Sequence, residues 1–366
     1  MKNIDELITN YTEQEGVHIH SVPDNTEFYD SMWSDQHPIG GSDLSMDQIP
    51  KLCRFFFPRS VPQSIDSGEN YKLVEERMRA LLDGACVLDV CAGHGGYSVA
   101  ALEWGANEVY MCDGSYEVLR RFPQNILNAP MLKKDPRYYI DRIVRVQADV
   151  EQISDVFFKK KFDIVFQRYA IHHMRNPFET AKQLAMLVRP GGVLVFNFFP
   201  SGSTSSIMRE FRKFFLKKSV NDVHAFLLLV GIVNPSFKEY DIIDVLNDKV
   251  TLEPRYKEIV EFLQNAVRMY SVDEVVSSLH YEDFQTPYLH NIDGMSFYRF
   301  LVDGLGVEVY EAWDVYPHDT PVGGLAFLAM QVPGAGIKEN VYVPNPSDFS
   351  DEDIALGDAK RGFIDA

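Results

Sequence analysis

Three aspartates stand where short apolar runs end: Asp89 in "VLDVCAGHGGYS", Asp113 in "EVYMCDGS" and Asp149 in "IVRVQADVEQI". The first is followed at once by a turn holding Cys91, Ala92, Gly93 and Gly95. Glycine in such a turn lets the backbone approach a ligand without a Cβ in the way and permits dihedrals that other residues resist. Asp113 lies eighteen residues beyond Gly95, where a carboxylate can accept both hydroxyls of a ribose. Asp149 offers a further acceptor, suited to an exocyclic amine such as that of adenine. Asp89 can take hydrogen bonds from the amides of the turn or, through them, from an ammonium group. The glycine turn alone has a second reading, because tight strand-to-helix turns need glycine for purely structural reasons. Three acidic strand ends in succession favour a nucleoside.

Such a site requires a sheet whose strand ends meet at one edge. Apolar runs at 86–90, 108–112, 143–148, 162–168 and 192–198 read as strands, and periodic segments at 97–104, 115–122 and 177–188 read as helices. Strands separated by helices predict a parallel sheet covered on both faces, with its ligand crevice beyond the carboxyl ends of the strands, where strand order reverses. Residues 1–80, rich in aromatics and turn formers, are expected to form an N-terminal cap, and 81–200 the core. Helical segments such as "DVHAFLLLVGIV" fill 201–290, an expected insertion or lid; 291–335 supply a helix and two closing strands. The acidic end, 336–366, reads as a loosely docked or disordered tail.

The chain has 366 residues, of which 46% are hydrophobic, enough for a sizeable core. Its net charge of −18 opposes a polyphosphate, so nucleic acid is not expected as a partner. No apolar run has the length to cross a bilayer, and "MKNIDELITNYTEQEG" is too polar for a leader, which makes the cytoplasm the expected location. Cys53, Cys86, Cys91 and Cys112 lack paired zinc spacing and read as small core residues. His18 and His20 in "GVHIH" could ligate a metal, but alternation on a short strand or loop explains them more simply, and no metal is expected.

In order, "VLDVCAGHGGYS", "VYMCDGS", "VQADVEQI", "FDIVFQRYAIHHM" and "LVRPGGVLVF" resemble the class I S-adenosylmethionine-dependent methyltransferases over roughly residues 80–200. The resemblance implies a Rossmann-like, doubly wound α/β sheet of seven strands, mostly parallel with the last strand antiparallel, plus the cap and the helical insertion. It implies S-adenosylmethionine as cofactor. Asp89, Gly93 and Gly95, with Cys91 and Ala92 in the same turn, would then hold the methionine side, and Asp113 with Gly114 the ribose. Asp149 with Val150 would frame the adenine, and Gln167 would lie near the sulfonium and its methyl. The family usually has glycine where Cys91 stands, a place that a small side chain can take if the dihedral there is ordinary. A dinucleotide-binding dehydrogenase is the competing reading of a glycine turn. It would need a glycine or alanine at the third position for a pyrophosphate on the helix N-terminus, whereas Tyr97 and Ser98 follow Gly96 here. The acidic turn would also repel a pyrophosphate while suiting a sulfonium and an ammonium.

After the run 162–168, "QRYAIHHMRNP" brings Tyr169, His172 and His173 to the lip of the same crevice. A histidine there could take the proton of an acceptor hydroxyl, typically for a gain of roughly 10²–10⁴-fold. The same histidines can instead cap the next helix or fix the loop; His173 is the preferred base, ahead of His172. The segment "YEDFQTPYLHNIDGMSFYRFLVDGLGVEV" resembles one that flanks the acceptor pocket in a subset of these enzymes, through Asp283, Pro287, Tyr288 and His290; a well-packed loop is the equal alternative. Phe28, Tyr29 and Trp33 of the cap could close over cofactor and acceptor, or form the core of the cap. Residues 209–218, "REFRKFFLKK", could meet an anionic membrane or a carrier protein, or serve as a solvated helix face. The expected function is a cytoplasmic methyltransferase for a small or lipid-like organic acceptor, such as a hydroxylated secondary metabolite, a sugar or a quinone-like ring. The alternative is a non-catalytic S-adenosylmethionine-binding sensor or partner subunit.

Overall fold

The runs "CVLDV", "EVYMCD", "IVRVQ" and "FDIVFQR" are dense in β-branched and aromatic residues and too short for helices, and each becomes a strand. The computed structural model describes residues 8, 11–24, 26–32, 76, 79–129, 132–200, 215, 218–229, 231–233, 256–269, 272–286, 290, 292–313 and 326–344. Their strands are β1 (Thr12–Gln14), β2 (Val17–Ile19), β3 (Cys86–Val90), β4 (Glu108–Asp113), β5 (Ile143–Gln147), β6 (Phe162–Arg168), β7 (Val188–Phe198), β8 (Glu308–Trp313) and β9 (Ala326–Gln331). They form one sheet in the order β1-β2-β5-β4-β3-β6-β7-β9-β8. The ladders from β2 through β7 are parallel. The last strand, β9, runs antiparallel to both β7 and β8.

Strand order reverses between β3 and β6, where Val90 stands opposite Gln167. The doubly wound α/β sheet with its antiparallel last strand is therefore present, but the described residues form nine strands where seven were expected. The two additional strands lie within the segment expected to be cap. β1 is three exposed residues paired antiparallel to β2, and β2 pairs with β5. Three-residue strands carry no periodic signal, so only their tertiary partners define them. His18 sits buried on β2, with its ring edge-on to Tyr11 at 4.8 Å.

Alternation along the strands feeds two apolar layers. Val87, Val109 and Met111 face one cluster with helices α2 (Gly96–Glu103), α3 (Tyr116–Asn128) and α4 (Pro136–Ile140), which follow α1 (Thr26–Met32). Leu88, Val90, Tyr110 and Cys112 face the other, with α5 (Ile153–Val156) and α6 (Pro177–Leu187). Helix α3 runs past Pro123, beyond its expected end at 122, because Val118, Leu119, Phe122 and Ile126 keep one continuous buried stripe against the sheet.

Within 201–290, α7 (Val220–Leu229), α8 (Tyr256–Met269), α9 (Val272–Ser278) and the π-helical continuation Leu279–Gln285 gather around their own cluster, including Phe215, Phe226, Leu227, Leu263 and Val276. Phe215, from the expected basic helix, is buried there and Lys218 is exposed; residues 209–214, 216 and 217 lie outside the described residues. Helix α10 (Gly294–Arg299) is capped by Asp293, whose carboxylate accepts from Ser296 N at 2.8 Å. Of the acidic tail, residues 336–344 are docked: Lys338 N donates to Leu305 O at 2.9 Å and Asn176 Nδ2 to Pro344 O at 3.3 Å. Residues 345–366 lie outside the described set. No helix among the described residues is long and apolar enough to cross a membrane.

Phe297 of α10 is fully buried against the rings of Phe178, Phe196 and Phe198, with centroids at 5.7, 5.3 and 5.1 Å. Phe297→Ala is expected to lower the unfolding free energy by about 3–5 kcal/mol. Urea unfolding measures this, and a loss under about 1 kcal/mol would show that the cluster does not fasten the helix to β7.

Candidate functional site

The turn after β3 is built by its dihedrals. Gly93 and Gly95 both take left-handed φ, +52° and +79°. A Cβ on Gly95 would also lie 2.8 Å from the Phe122 ring and 3.0 Å from Met111 Sδ, so both backbone and space demand glycine there. Cys91 has φ +55°. The condition under which a small side chain replaces glycine freely is thus not met: a residue with a Cβ holds a left-handed conformation, at a cost of order 1–3 kcal/mol. Asp89 is buried and accepts from Ser98 Oγ at 2.6 Å, which ties the end of β3 to the first turn of α2.

Asp113, at the end of β4, accepts from Gly93 N and from Ser115 N, each at 2.9 Å. The Asp149 amide donates to Ser21 Oγ at 3.0 Å, and its carboxylate accepts from Glu151 N, opening the short turn Val150–Gln152. All three carboxylates act on one group. Burial is the main force pushing the Cys91 thiol up, and the charges of Asp113, Asp89 and Asp149 add to it. Gln167 is wholly buried beside them: its Nε2 points at Cys91 Sγ, 3.9 Å away, and its Oε1 has no hydrogen-bond partner among the described residues. Arg168, at the end of β6, is held on Tyr97 and its charge favours ionised Asp89.

These residues fit S-adenosylmethionine. Buried negative charge and an orphaned buried acceptor suit a ligand carrying a sulfonium, an ammonium and a ribose diol, and they oppose a pyrophosphate.

Helix α1 covers the turn after β4. Thr26 Oγ1 donates to Gly114 O at 3.0 Å, and the Asp30 carboxylate accepts from Ser115 Oγ at 2.6 Å and Glu117 N at 3.1 Å. On the same helix, burial pushes the Tyr29 phenol up, and the charges of Asp113 and Glu151 add to the shift. After β6, Tyr169 takes φ +52° and its N–H donates to Asn197 O at 2.8 Å. Its ring lies 5.5 Å from Phe199, and the His172 and His173 rings are 4.1 Å apart. Thr286 Oγ1 is 3.3 Å from His173 Nδ1, and His290 N donates to His172 O at 2.9 Å. Phe28 of α1 meets Tyr281 of the insertion at 6.2 Å.

The structure thus brings Tyr29, Tyr169, His172, His173 and His290 to the sheet edge that holds the aspartates. Asp283 lies in the segment Leu279–Gln285, but its side chain is outside the described residues, as are Trp33, Pro287 and Tyr288. Sequence reasoning passed over Ser98, Ser115, Thr26, Asp30 and Thr286. Thr286 sits inside a segment that had drawn attention; nothing in the spacing of Thr26 and Asp30 marks them as partners of Gly114 and Ser115.

Burial raises Asp89 to about 7 and Asp113 to about 6; the Ser98 hydrogen bond and Arg168 oppose the first shift, and the Ser115 and Gly93 amides the second. A carboxyl raised on folding contributes stability that is full below its unfolded value, near pH 4, and is lost as pH rises through the folded value. The ligand-free protein should therefore lose stability between about pH 4 and 7 from these two groups. A cationic ligand binds the ionised pair, so its affinity should rise over roughly pH 5.5–7.5, read by calorimetric titration. A flat affinity across that window would contradict the burial of both carboxylates.

A family model described as a methyltransferase domain matches residues 65–217. The chain is 27% identical over 165 residues to the tRNA U34 carboxymethyltransferase of Idiomarina loihiensis, an overlap of 44% of this chain. It spans about half, 48%, of the length of that curated relative. Among solved structures, similarity extends to an O-methyltransferase family protein from Burkholderia thailandensis at 12% identity and TM-score 0.36, over 78% of this chain and 58% of that one. A putative S-adenosylmethionine-dependent methyltransferase from Listeria monocytogenes is matched at 17% identity and TM-score 0.28, over 36% and 56%. Weight falls on the family model and on the strand order, since the matched segment holds β3 to β7, the glycine turn and all three aspartates. Residues 65–217 are accordingly a class I S-adenosylmethionine-dependent methyltransferase domain, with S-adenosylmethionine as its cofactor.

Proposed function

We propose that the protein is a cytoplasmic enzyme that methylates a small or lipid-like organic acceptor, with Asp89 and the turn 91–95 on the methionine end of the cofactor, Asp113 and Gly114 on the ribose, Asp149 and Val150 on the adenine, and Gln167 beside the sulfonium. Arg168, whose charge acts on Asp89, would also attract the carboxylate of the methionine end. The bound cofactor supplies an electrophilic methyl group. The chain's residues hold the two reactants in line, which in model systems can lower a barrier by up to about 7–11 kcal/mol. When the acceptor is a hydroxyl, His173 would take the proton that the hydroxyl releases on receiving the methyl group.

One observation carries the acceptor class: α1, the end of the insertion and the turn after β6 converge, with Phe28 6.2 Å from Tyr281 and Thr286 Oγ1 3.3 Å from His173 Nδ1. Protein elements on three sides suit a small molecule better than a duplex or a folded RNA. The tRNA named for the Idiomarina loihiensis relative belongs to that protein; in this chain a net charge of −18 opposes a polyphosphate acceptor. Contact with a membrane or carrier protein through 209–218 remains part of the proposal, served by the basic residues of that segment.

The test is to incubate the full chain with methyl-labelled S-adenosylmethionine and, separately, a metabolite extract and bulk tRNA. Label in a small organic product is expected. Label in RNA would overturn the acceptor class, and cofactor binding without transfer across many extracts would favour a sensor. With an acceptor in hand, His173→Ala should cut turnover by roughly 10²–10⁴-fold while leaving cofactor affinity within about twofold. An unaffected rate would remove His173 from the role of base.

A further inference from the structure

The chain leaves the sheet after β2, where His20 N donates to Gln147 O at 3.0 Å, and then touches the carboxyl ends of β5 and β4 in turn. Ser21 Oγ accepts from Asp149 N at 3.0 Å, and Thr26 Oγ1 donates to Gly114 O at 3.0 Å. Farther on, the Asp30 carboxylate accepts from Ser115 Oγ at 2.6 Å and Glu117 N at 3.1 Å, which sets its charge at the positive end of α3. Residues 21–24 and 26–32 therefore lie on the two turns that the proposed function gives to adenine and ribose.

Gly114 shows how closely the segment lies. Its φ is not left-handed, so its backbone does not ask for glycine. A Cβ there would stand 3.1 Å from Pro23 Cγ, inside ordinary carbon–carbon contact, and would push Pro23 away. Polar bonds do most of the holding. Of the described residues from 21 to 32 only Met32 is buried, and none belongs to either apolar layer of the sheet. Val17 of β2, by contrast, is fully buried in one of those layers. A segment with so few buried apolar contacts opens locally, well below the free energy of global unfolding. It can lift while β2 stays paired.

We infer that residues 21–32 are a strap over the adenosine half of S-adenosylmethionine, latched by Thr26 and Asp30, and that the cofactor enters and leaves when the strap lifts. The inference rests on the placement of ribose at Asp113 and adenine at Asp149 proposed above. Ser115 joins strap and site, because its hydroxyl goes to Asp30 and its amide to Asp113. Latching and binding are therefore reciprocal: a ligand that orders Asp113 and Ser115 favours the closed strap, and the closed strap retains the ligand. A plain contact to the ligand lowers only the dissociation rate. A strap across the entrance slows association as well, in proportion to the fraction of molecules that are open.

The test uses the full chain and S-adenosylmethionine. Stopped-flow mixing gives the association rate, a chase of labelled with unlabelled cofactor gives the dissociation rate, and hydrogen exchange read by mass spectrometry follows the amides of 21–32. In the wild type, saturating cofactor is expected to slow that exchange by about tenfold or more. Thr26→Val combined with Asp30→Ala should raise association and dissociation rates together, each by roughly tenfold, and leave Kd within about threefold. Asp30→Asn, which keeps an acceptor oxygen, should fall between. A rise in dissociation alone would make these residues ligand contacts and overturn the strap, as would exchange in 21–32 that is the same with and without cofactor. The wild-type exchange decides the matter even where the double variant does not fold. The two readings fail apart: unchanged affinity in Asp113→Ala removes the ribose placement, whereas unchanged rates in the strap variants, with Asp113→Ala still weakened, remove the strap alone.

Discussion

One carboxylate joins the parts of this site. Asp113 receives the Gly93 amide on one oxygen and the Ser115 amide on the other, so the turn after β3 and the turn after β4 are fixed relative to each other. A carboxylate has about four lone-pair positions, and two amides leave acceptor capacity for a ligand. Ser115 in turn donates to Asp30, which brings α1 over the same edge. Turn, carboxylate and covering helix are one hydrogen-bonded chain. Burial makes it costly for Asp113 and Asp89 to ionise, and the energetic demand this creates is met by a ligand that brings positive charge and hydrogen-bond donors.

Two of the three non-glycine residues with left-handed φ among the described residues fall at the same place; the third, Glu15, is in the β1–β2 turn. Cys91 follows β3 and Tyr169 follows β6, the two strands between which the order reverses, and both hold left-handed φ without being glycine. Each costs of order 1–3 kcal/mol, sustained by the parallel ladder before it and, for Tyr169, by the bond to Asn197 O. The strain aims side chains. It sets Cys91 against the Gln167 amide and lays the Tyr169 ring beside Phe199. Strained backbone and the orphaned Gln167 acceptor occupy the same edge as the carboxylates, which is where a ligand would repay both.

Strands β3 to β6 and the three aspartates were legible in the sequence because buried parallel strands appear as continuous β-branched and aromatic runs, with the first polar residue marking the edge. β1 and β2 were not, since three residues such as Thr12–Gln14 have no pattern of their own and exist only through pairing. The helix around Pro123 was cut short by a local rule that its buried stripe overrides. Cys91 could be seen to replace a glycine, but its dihedral could not be read from its type. Thr286 and His173 stand 113 residues apart along the chain, so the sequence could name the histidine but not its neighbour.

The central claim is that Asp113 binds the ribose of S-adenosylmethionine while holding its own loop. Calorimetric titration of the cofactor into wild type and Asp113→Ala, with both shown to be folded by circular dichroism, tests it most directly. Loss of two hydrogen bonds to a charged acceptor, each worth about 1.5–3 kcal/mol, predicts affinity weaker by about a hundredfold or more. A dissociation constant for Asp113→Ala within about threefold of wild type would contradict the account.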